Sequence, residues 1–166
     1  GLMVLPPYVY RGDWRETETH FSSVLDATPL SCMLYNNPIA YGTDLSAEQI
    51  GELASKHRNV HAVKESSGDV RRLTAVRALL GSRLALFAGL DDMIVEALAV
   101  EADGWVAGLV NALPAESVQL VQLAKAALHP KDGLDRAALL EDAGIEQCMS
   151  CHRCEEICPV HIPIVS

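Results

Sequence analysis

The chain has 166 residues, 49% of them hydrophobic and 21% charged, with a net charge of −9. That is a globular composition, long enough for one domain or one domain plus a small module, and its negative charge argues against nucleic acid as the main partner. No apolar run approaches the roughly 20 residues of a membrane span.

Gly1-Leu2-Met3-Val4-Leu5-Pro6-Pro7 already reads as a core strand, Leu2 to Leu5, so the pattern predicts further chain upstream. No secretory signal opens the sequence. Asp13 is placed to cap a helix whose inner face carries Trp14, Phe21, Val24 and Leu25. Leu30 to Leu34 forms the next strand. Ser46 and Gln49 have capping-box spacing before a helix with Ile50, Leu53 and Ala54 inward. Val60 to Val63 is a third strand. Asp69 is placed to cap a helix with Val70, Leu73, Val76 and Leu80 inward, ended by Gly81. Leu84 to Ala88 is a fourth strand, followed by a helix capped by Asp91 or Asp92. Trp105 to Val110 is a fifth strand, and Pro114 opens a helix with Leu120, Leu123, Ala124, Ala127 and Leu128 on one face. Arg71, Arg72 and Arg77 are expected on a solvated helix face, and Trp105 in the core or at an interface.

Apolar strands alternating with amphipathic helices predict a parallel sheet covered by helices. Period alone fits a doubly wound sheet or a (β/α)8 barrel. Barrels carry their chemistry at the C-terminal ends of the strands, and Tyr35, Lys64 and Gly89 all sit at such ends. The expected fold is therefore α/β, a partial (β/α)8 TIM barrel over 1–129, about strands 4–8. Residues 130–166 are expected to form a linker helix and a ferredoxin-like cysteine segment.

A lysine at the end of a buried strand is costly, because desolvation disfavours its ammonium. One βα unit separates Tyr35 from Lys64, so their strands are expected side by side. Lys64 as a neutral amine could then attack a 2-oxo acid, with Tyr35 relaying protons. The same spacing also fits a lysine that snorkels to solvent beside a tyrosine that packs. The Ser66-Ser67-Gly68-Asp69 loop that follows is a suitable lining for an anion.

Tyr35-Asn36-Asn37-Pro38, Val63-Lys64-Glu65-Ser66-Ser67-Gly68-Asp69 and Ala88-Gly89-Leu90-Asp91-Asp92 occur in the order and spacing of one family. Residues 1 to about 128 resemble the C-terminal half of the dihydrodipicolinate synthase / N-acetylneuraminate lyase family of class I aldolases. The resemblance implies that Lys64 forms the Schiff base and Tyr35 shuttles protons. It implies that Gly89 lends backbone to the pocket and that Val106 packs over substrate. It implies a homo-oligomer, a 2-oxo acid as the small-molecule partner, and no cofactor for the lyase chemistry. Members that build dihydrodipicolinate carry an arginine soon after the tyrosine motif, whereas here Pro38 is followed by Ile39-Ala40-Tyr41-Gly42. The local sequence is more similar to catabolic relatives that dehydrate, deaminate or cleave, such as a pyrroline-hydroxy-carboxylate deaminase. The family's glycine-rich segment and hydroxyl pair, which grip the substrate carboxylate, belong to the first half of the barrel.

Cys148, Cys151, Cys154 and Cys158-Pro159 follow the bacterial ferredoxin spacing. Four thiolates so close together point to a cluster rather than disulfides, and to a reducing cytoplasm. A 4Fe–4S cluster is one reading, a four-cysteine zinc site another, and a remnant without function a third, since the fourth cysteine of such a run normally serves a second cluster. Cys32, in a core strand, is expected to be a small buried hydrophobe. The tail resembles iron–sulfur subunits of the succinate dehydrogenase or heterodisulfide reductase kind, which implies a redox partner subunit. The rival to the lyase is thus an iron–sulfur electron-transfer module on a noncatalytic half-barrel. The acidic pair Asp91-Asp92 is expected to cap its helix rather than hold a metal.

Overall fold

The computed structural model describes residues 1–128. The cysteine run lies outside the described residues, as do residues 130–166 as a whole. Gly1–Val121 form one compact unit, and a second begins at Gln122.

The first unit is a five-stranded parallel sheet, β1 (Leu2–Val4), β2 (Cys32–Asn36), β3 (Val60–Glu65), β4 (Ala85–Ala88) and β5 (Gly104–Trp105), in the spatial order β1-β2-β3-β4-β5. Each strand pairs with its sequence neighbour and the order never reverses. A doubly wound sheet must reverse, so this is the winding of a barrel wall. The helices are α1 (Trp14–Asp26), α2 (Pro38–Tyr41), α3 (Ala47–Lys56), α4 (Arg71–Leu80), α5 (Ile94–Ala99) and α6 (Pro114–Leu128).

Alternation along the strands separates two faces. Cys32, Leu34, Val63, Leu86 and Ala88 are buried, together with Phe21 and Leu25 of α1, Ile50 and Leu53 of α3, and Leu73 and Val76 of α4. Each large apolar side chain in that layer stabilises the fold by about 1.5–3 kcal/mol relative to exposure. The other face carries Met33, Tyr35, Ala62, Lys64, Ala85 and Phe87, all half-buried. In a complete barrel this face is the inside.

Two helix starts follow the predicted chemistry, whereas α4 begins after Val70 with no side-chain cap, Asp69 holding the Arg71 amide and guanidinium instead. Asp13 and Glu16 form a full capping box on α1, and Ser46 and Gln49 form another on α3. Gly81 ends α4 at φ 56°. The first strand stops at Val4, where the Leu5 carbonyl turns aside to meet His20 Nε2 at 3.0 Å. The second begins at Cys32 rather than Leu30, because the Leu30 amide is held by Thr28 Oγ1 at 3.2 Å.

The fifth strand is the largest departure. It was expected from Trp105 to Val110 but covers only Gly104–Trp105, followed by a 3₁₀ turn at Leu109–Asn111. The Asp91 carboxylate accepts the amides of Gly108 and Leu109, both at 2.9 Å, and so removes those donors from the ladder. Asp91 thus pins the β5 loop and makes no side-chain cap at the start of its own helical segment. The three arginines of α4 do not share a solvated face either. Arg72 holds Asp44 through two bonds of 3.1 and 2.9 Å, and Arg77 holds Asp103 at 2.7 Å, leaving Arg71 as the outward one. On α6, Ala124 of the expected face is buried, whereas Leu120 and Leu128 are exposed and Ser117 is buried instead. No helix among the described residues is long and apolar enough to cross a membrane.

Candidate active site

Tyr35 and Lys64 are direct register partners on β2 and β3, and Phe87 and Gly104 continue the same rung across β4 and β5. The Lys64 Nζ lies 4.4 Å from the centroid of the Tyr35 ring. The two residues singled out by the sequence therefore meet, at the C-terminal ends of adjacent strands. Lys64 is half-buried rather than buried, because the face it stands on is the open face of the sheet.

Each residue of the Tyr35-Asn36-Asn37-Pro38 motif has its own task. Tyr35 Oη accepts a hydrogen bond from Asn37 Nδ2 at 3.0 Å. The Asn37 Oδ1 accepts the Ala40 amide at 3.1 Å, which caps α2, and Pro38 occupies the first helical position where its missing N–H costs nothing. Tyr41, at the end of α2, packs edge-on against Tyr35 with centroids 5.7 Å apart, and Tyr8 lies 5.8 Å from Tyr41. Asn36 points the other way and is completely buried. Its Nδ2 donates to Asp44 at 3.0 Å and Glu65 at 2.9 Å, while its Oδ1 accepts the Leu45 amide at 2.9 Å.

Burial pushes the Tyr35 phenol up, but the hydrogen bond from Asn37, the nearness of the Ser66 hydroxyl and the neighbouring Lys64 outweigh it, so the phenol ionises below its ordinary value. A phenol shifted this way exchanges protons more readily near neutral pH. Burial pushes the Glu65 carboxyl up, against the donors Ser67 and Asn36.

Gly89 is needed because nothing larger fits. Its amide donates to the Glu65 carbonyl at 2.8 Å, and a Cβ there would overlap Ser66 Oγ and stand 2.9 Å from Lys64 Cε. Val106 follows β5, half-buried, with its amide on the Ala88 carbonyl at 2.9 Å. Both residues thus stand on the rim that carries Lys64.

The loop after Lys64 is not the open anion cradle that its small residues suggested. The Ser67 amide is taken by Glu65 Oε1 at 2.6 Å, the Asp69 amide by Ser67 Oγ at 3.3 Å and the Arg71 amide by Asp69 Oδ1 at 3.0 Å. Its donors hold the loop itself together. Among the described residues, no group of three or more His, Cys, Asp or Glu side chains is arranged to hold a metal ion. Cys32 is buried with a free thiol, as expected. Sequence reasoning missed the buried hub at Asn36 and the buried Ser66. The only signal for either was the polar character of a residue next to a catalytic candidate in an apolar strand.

Comparison with known proteins agrees with this geometry. The chain is 38% identical over 122 residues to a 4-hydroxy-tetrahydrodipicolinate synthase of Exiguobacterium sibiricum, covering 74% of this chain and 41% of the relative. It is 34% identical over 116 residues to the enzyme of the same name from Clostridium perfringens strain SM101, covering 70% and 40%. The chain thus spans about 40% of the length of these curated relatives. Among solved structures, the 4-hydroxy-tetrahydrodipicolinate synthase of Methylacidiphilum fumariolicum SolV superposes with a TM-score of 0.73 at 28% identity, over 77% of this chain and 43% of that one. Dihydrodipicolinate synthase from Aquifex aeolicus, at 22% identity and a TM-score of 0.72 over 92% of this chain and 52% of that one, shares the fold. Residues 1–139 match the Dihydrodipicolinate synthetase family, and with the barrel winding and the paired Tyr35 and Lys64 the chain belongs to it.

Proposed function

We propose that this chain carries the Schiff-base half of a class I lyase acting on a 2-oxo acid or a related cyclic imine. The observation that supports it is the Lys64 amine 4.4 Å over the Tyr35 ring, in register at the C-terminal strand ends. In this reading the neutral Lys64 amine attacks the C2 carbonyl, and the carbonyl oxygen takes a proton to give a carbinolamine. Loss of water, its oxygen protonated by Tyr35, leaves an iminium that draws electrons from the neighbouring bond. Tyr35 then recovers its proton from the nitrogen or from the reacting carbon. Gly89 and Val106 border the substrate, and the whole enzyme is a homo-oligomer.

The relatives' names indicate a 4-hydroxy-tetrahydrodipicolinate synthase. The segment Ile39-Ala40-Tyr41 favours a catabolic substrate, because it offers no arginine for a second carboxylate. Pyruvate with borohydride tests the shared step: one reduced adduct on Lys64 is expected, located by peptide mass spectrometry and absent from Lys64→Arg. A folded protein with no adduct overturns the reading. Condensation of the adduct with a carboxylate-bearing aldehyde would favour the synthase over the catabolic type.

The spacing of Cys148, Cys151, Cys154 and Cys158 supports a second, separate reading, an iron–sulfur cluster held by four thiolates and serving a redox partner.

A further inference from the structure

Ser66 is 1% exposed, and its hydroxyl oxygen has no hydrogen-bond partner among the described residues. A buried hydroxyl left in that state destabilises the fold, and such groups call for an explanation in function. Its position supplies one. The ladder between β2 and β3 ends with the pairs Tyr35–Lys64 and Asn36–Glu65, after which the Ser66 amide donates to the Asn36 carbonyl at 2.8 Å. Strand alternation returns Ser66 to the face of Lys64, opposite Asn37. Asn37 is already one donor to the Tyr35 oxygen, at 3.0 Å. Across the rim, Gly89 leaves the space in which Ser66 Oγ and Lys64 Cε lie side by side, since a Cβ at Gly89 would strike both.

We propose that Ser66 is a positioning residue for proton transfer, its hydroxyl serving as the second donor to the Tyr35 oxygen once that oxygen has given its proton to the substrate. This rests on the lyase reading of Lys64 and Tyr35. The neutral phenol needs only Asn37 and uses its own hydrogen on the substrate. The phenolate left behind has lone pairs for two donors, and Ser66 turns a free O–H toward it. When the proton returns to the phenol, the serine is released to its unpartnered state. The charged and titratable groups facing Tyr35 are Lys64 from β3 and Tyr41 from α2, with Tyr8 behind Tyr41. The Ser66 hydroxyl favours ionisation of Tyr35 in the same sense as Asn37 does.

The test is a spectrophotometric tyrosinate titration of the full chain, with Tyr35→Phe subtracted to isolate Tyr35. Ser66→Ala is expected to move the Tyr35 midpoint up by about one pH unit, and Ser66→Thr, which keeps the hydroxyl, to leave it near the parent value. Should Ser66→Ala fail to fold, Ser66→Cys, a weak donor of similar shape, is expected to move the midpoint the same way. An unchanged midpoint in a folded Ala or Cys variant overturns the proposal, as does a Thr variant that shifts as far as Ala. Borohydride trapping on the same samples keeps the two questions apart: an adduct with no midpoint shift removes Ser66 alone, whereas no adduct removes the lyase reading whatever Ser66 does.

Discussion

Asn36 and Asn37 are chemically identical neighbours, and the structure predicts very different costs for losing them. Asn36→Ala removes three hydrogen bonds from a side chain with no exposure. Asp44 keeps its two bonds to Arg72 and has access to water, so its loss is minor. The Leu45 amide belongs to a residue with no exposure and is stranded, which costs about 1–3 kcal/mol. The bond to the buried Glu65 carboxylate is of the charged kind, worth about 1.5–3 kcal/mol. Together Asn36→Ala should cost about 3–5 kcal/mol, a large part of the roughly 5–15 kcal/mol that holds a typical domain folded. Asn37→Ala removes only the cap on the four-residue helix α2 and a donor to Tyr35, about 1 kcal/mol. Urea unfolding of the parent and both variants, followed by circular dichroism with slopes compared, measures the difference. If Asn36→Ala falls within 1 kcal/mol of Asn37→Ala, the buried hub does not hold the sheet to the loop as argued.

Gly89→Ala should cost about 1–3 kcal/mol by overpacking and slow borohydride trapping at Lys64, because the new methyl group displaces Ser66 or the lysine stem; a variant with parent stability and parent trapping rate would contradict the close approach. For Asp44, burial raises the carboxyl, but the Arg72 guanidinium and Asn36 bring it below its ordinary 3.8. Its folded value is depressed, so the stabilisation is present above that ordinary value and fades as pH falls through the folded one. The stability gap between the parent and Asp44→Asn should therefore be about 0.5–1 kcal/mol at neutral pH, since the pair is half-exposed, and close toward pH 2; a gap that widens on acidification reverses the sign. Tyr35→Phe should slow adduct formation about 10²–10⁴-fold without unfolding the protein, read by quenched-flow trapping. Anaerobic reconstitution with iron and sulfide should give a brown protein whose colour is lost in Cys151→Ser, and a colourless product would remove the cluster reading.

Local chemistry made much of this molecule legible in advance. The caps at Asp13 and Ser46 and the stop at Gly81 are interactions within one turn, so the sequence determined them unaided. The parallel α/β alternation and the meeting of Tyr35 with Lys64 followed from period and from the rule that consecutive units lie side by side. Tertiary structure decided what depends on a partner distant in the chain. Asp91 looked like a helix cap and instead reaches 17 residues on to cut β5 short. Arg72 and Arg77 looked solvated until Asp44 and Asp103 came to them. Asn36 was read only as part of the tyrosine motif and Ser66 as lining for an anion, yet one is the buried joint between two strands and the other an unpaired hydroxyl beside the Lys64 side chain. The hydrogen-bonding potential of a side chain is written in its type, whereas the identity of its partner is fixed only when the strands are laid in register.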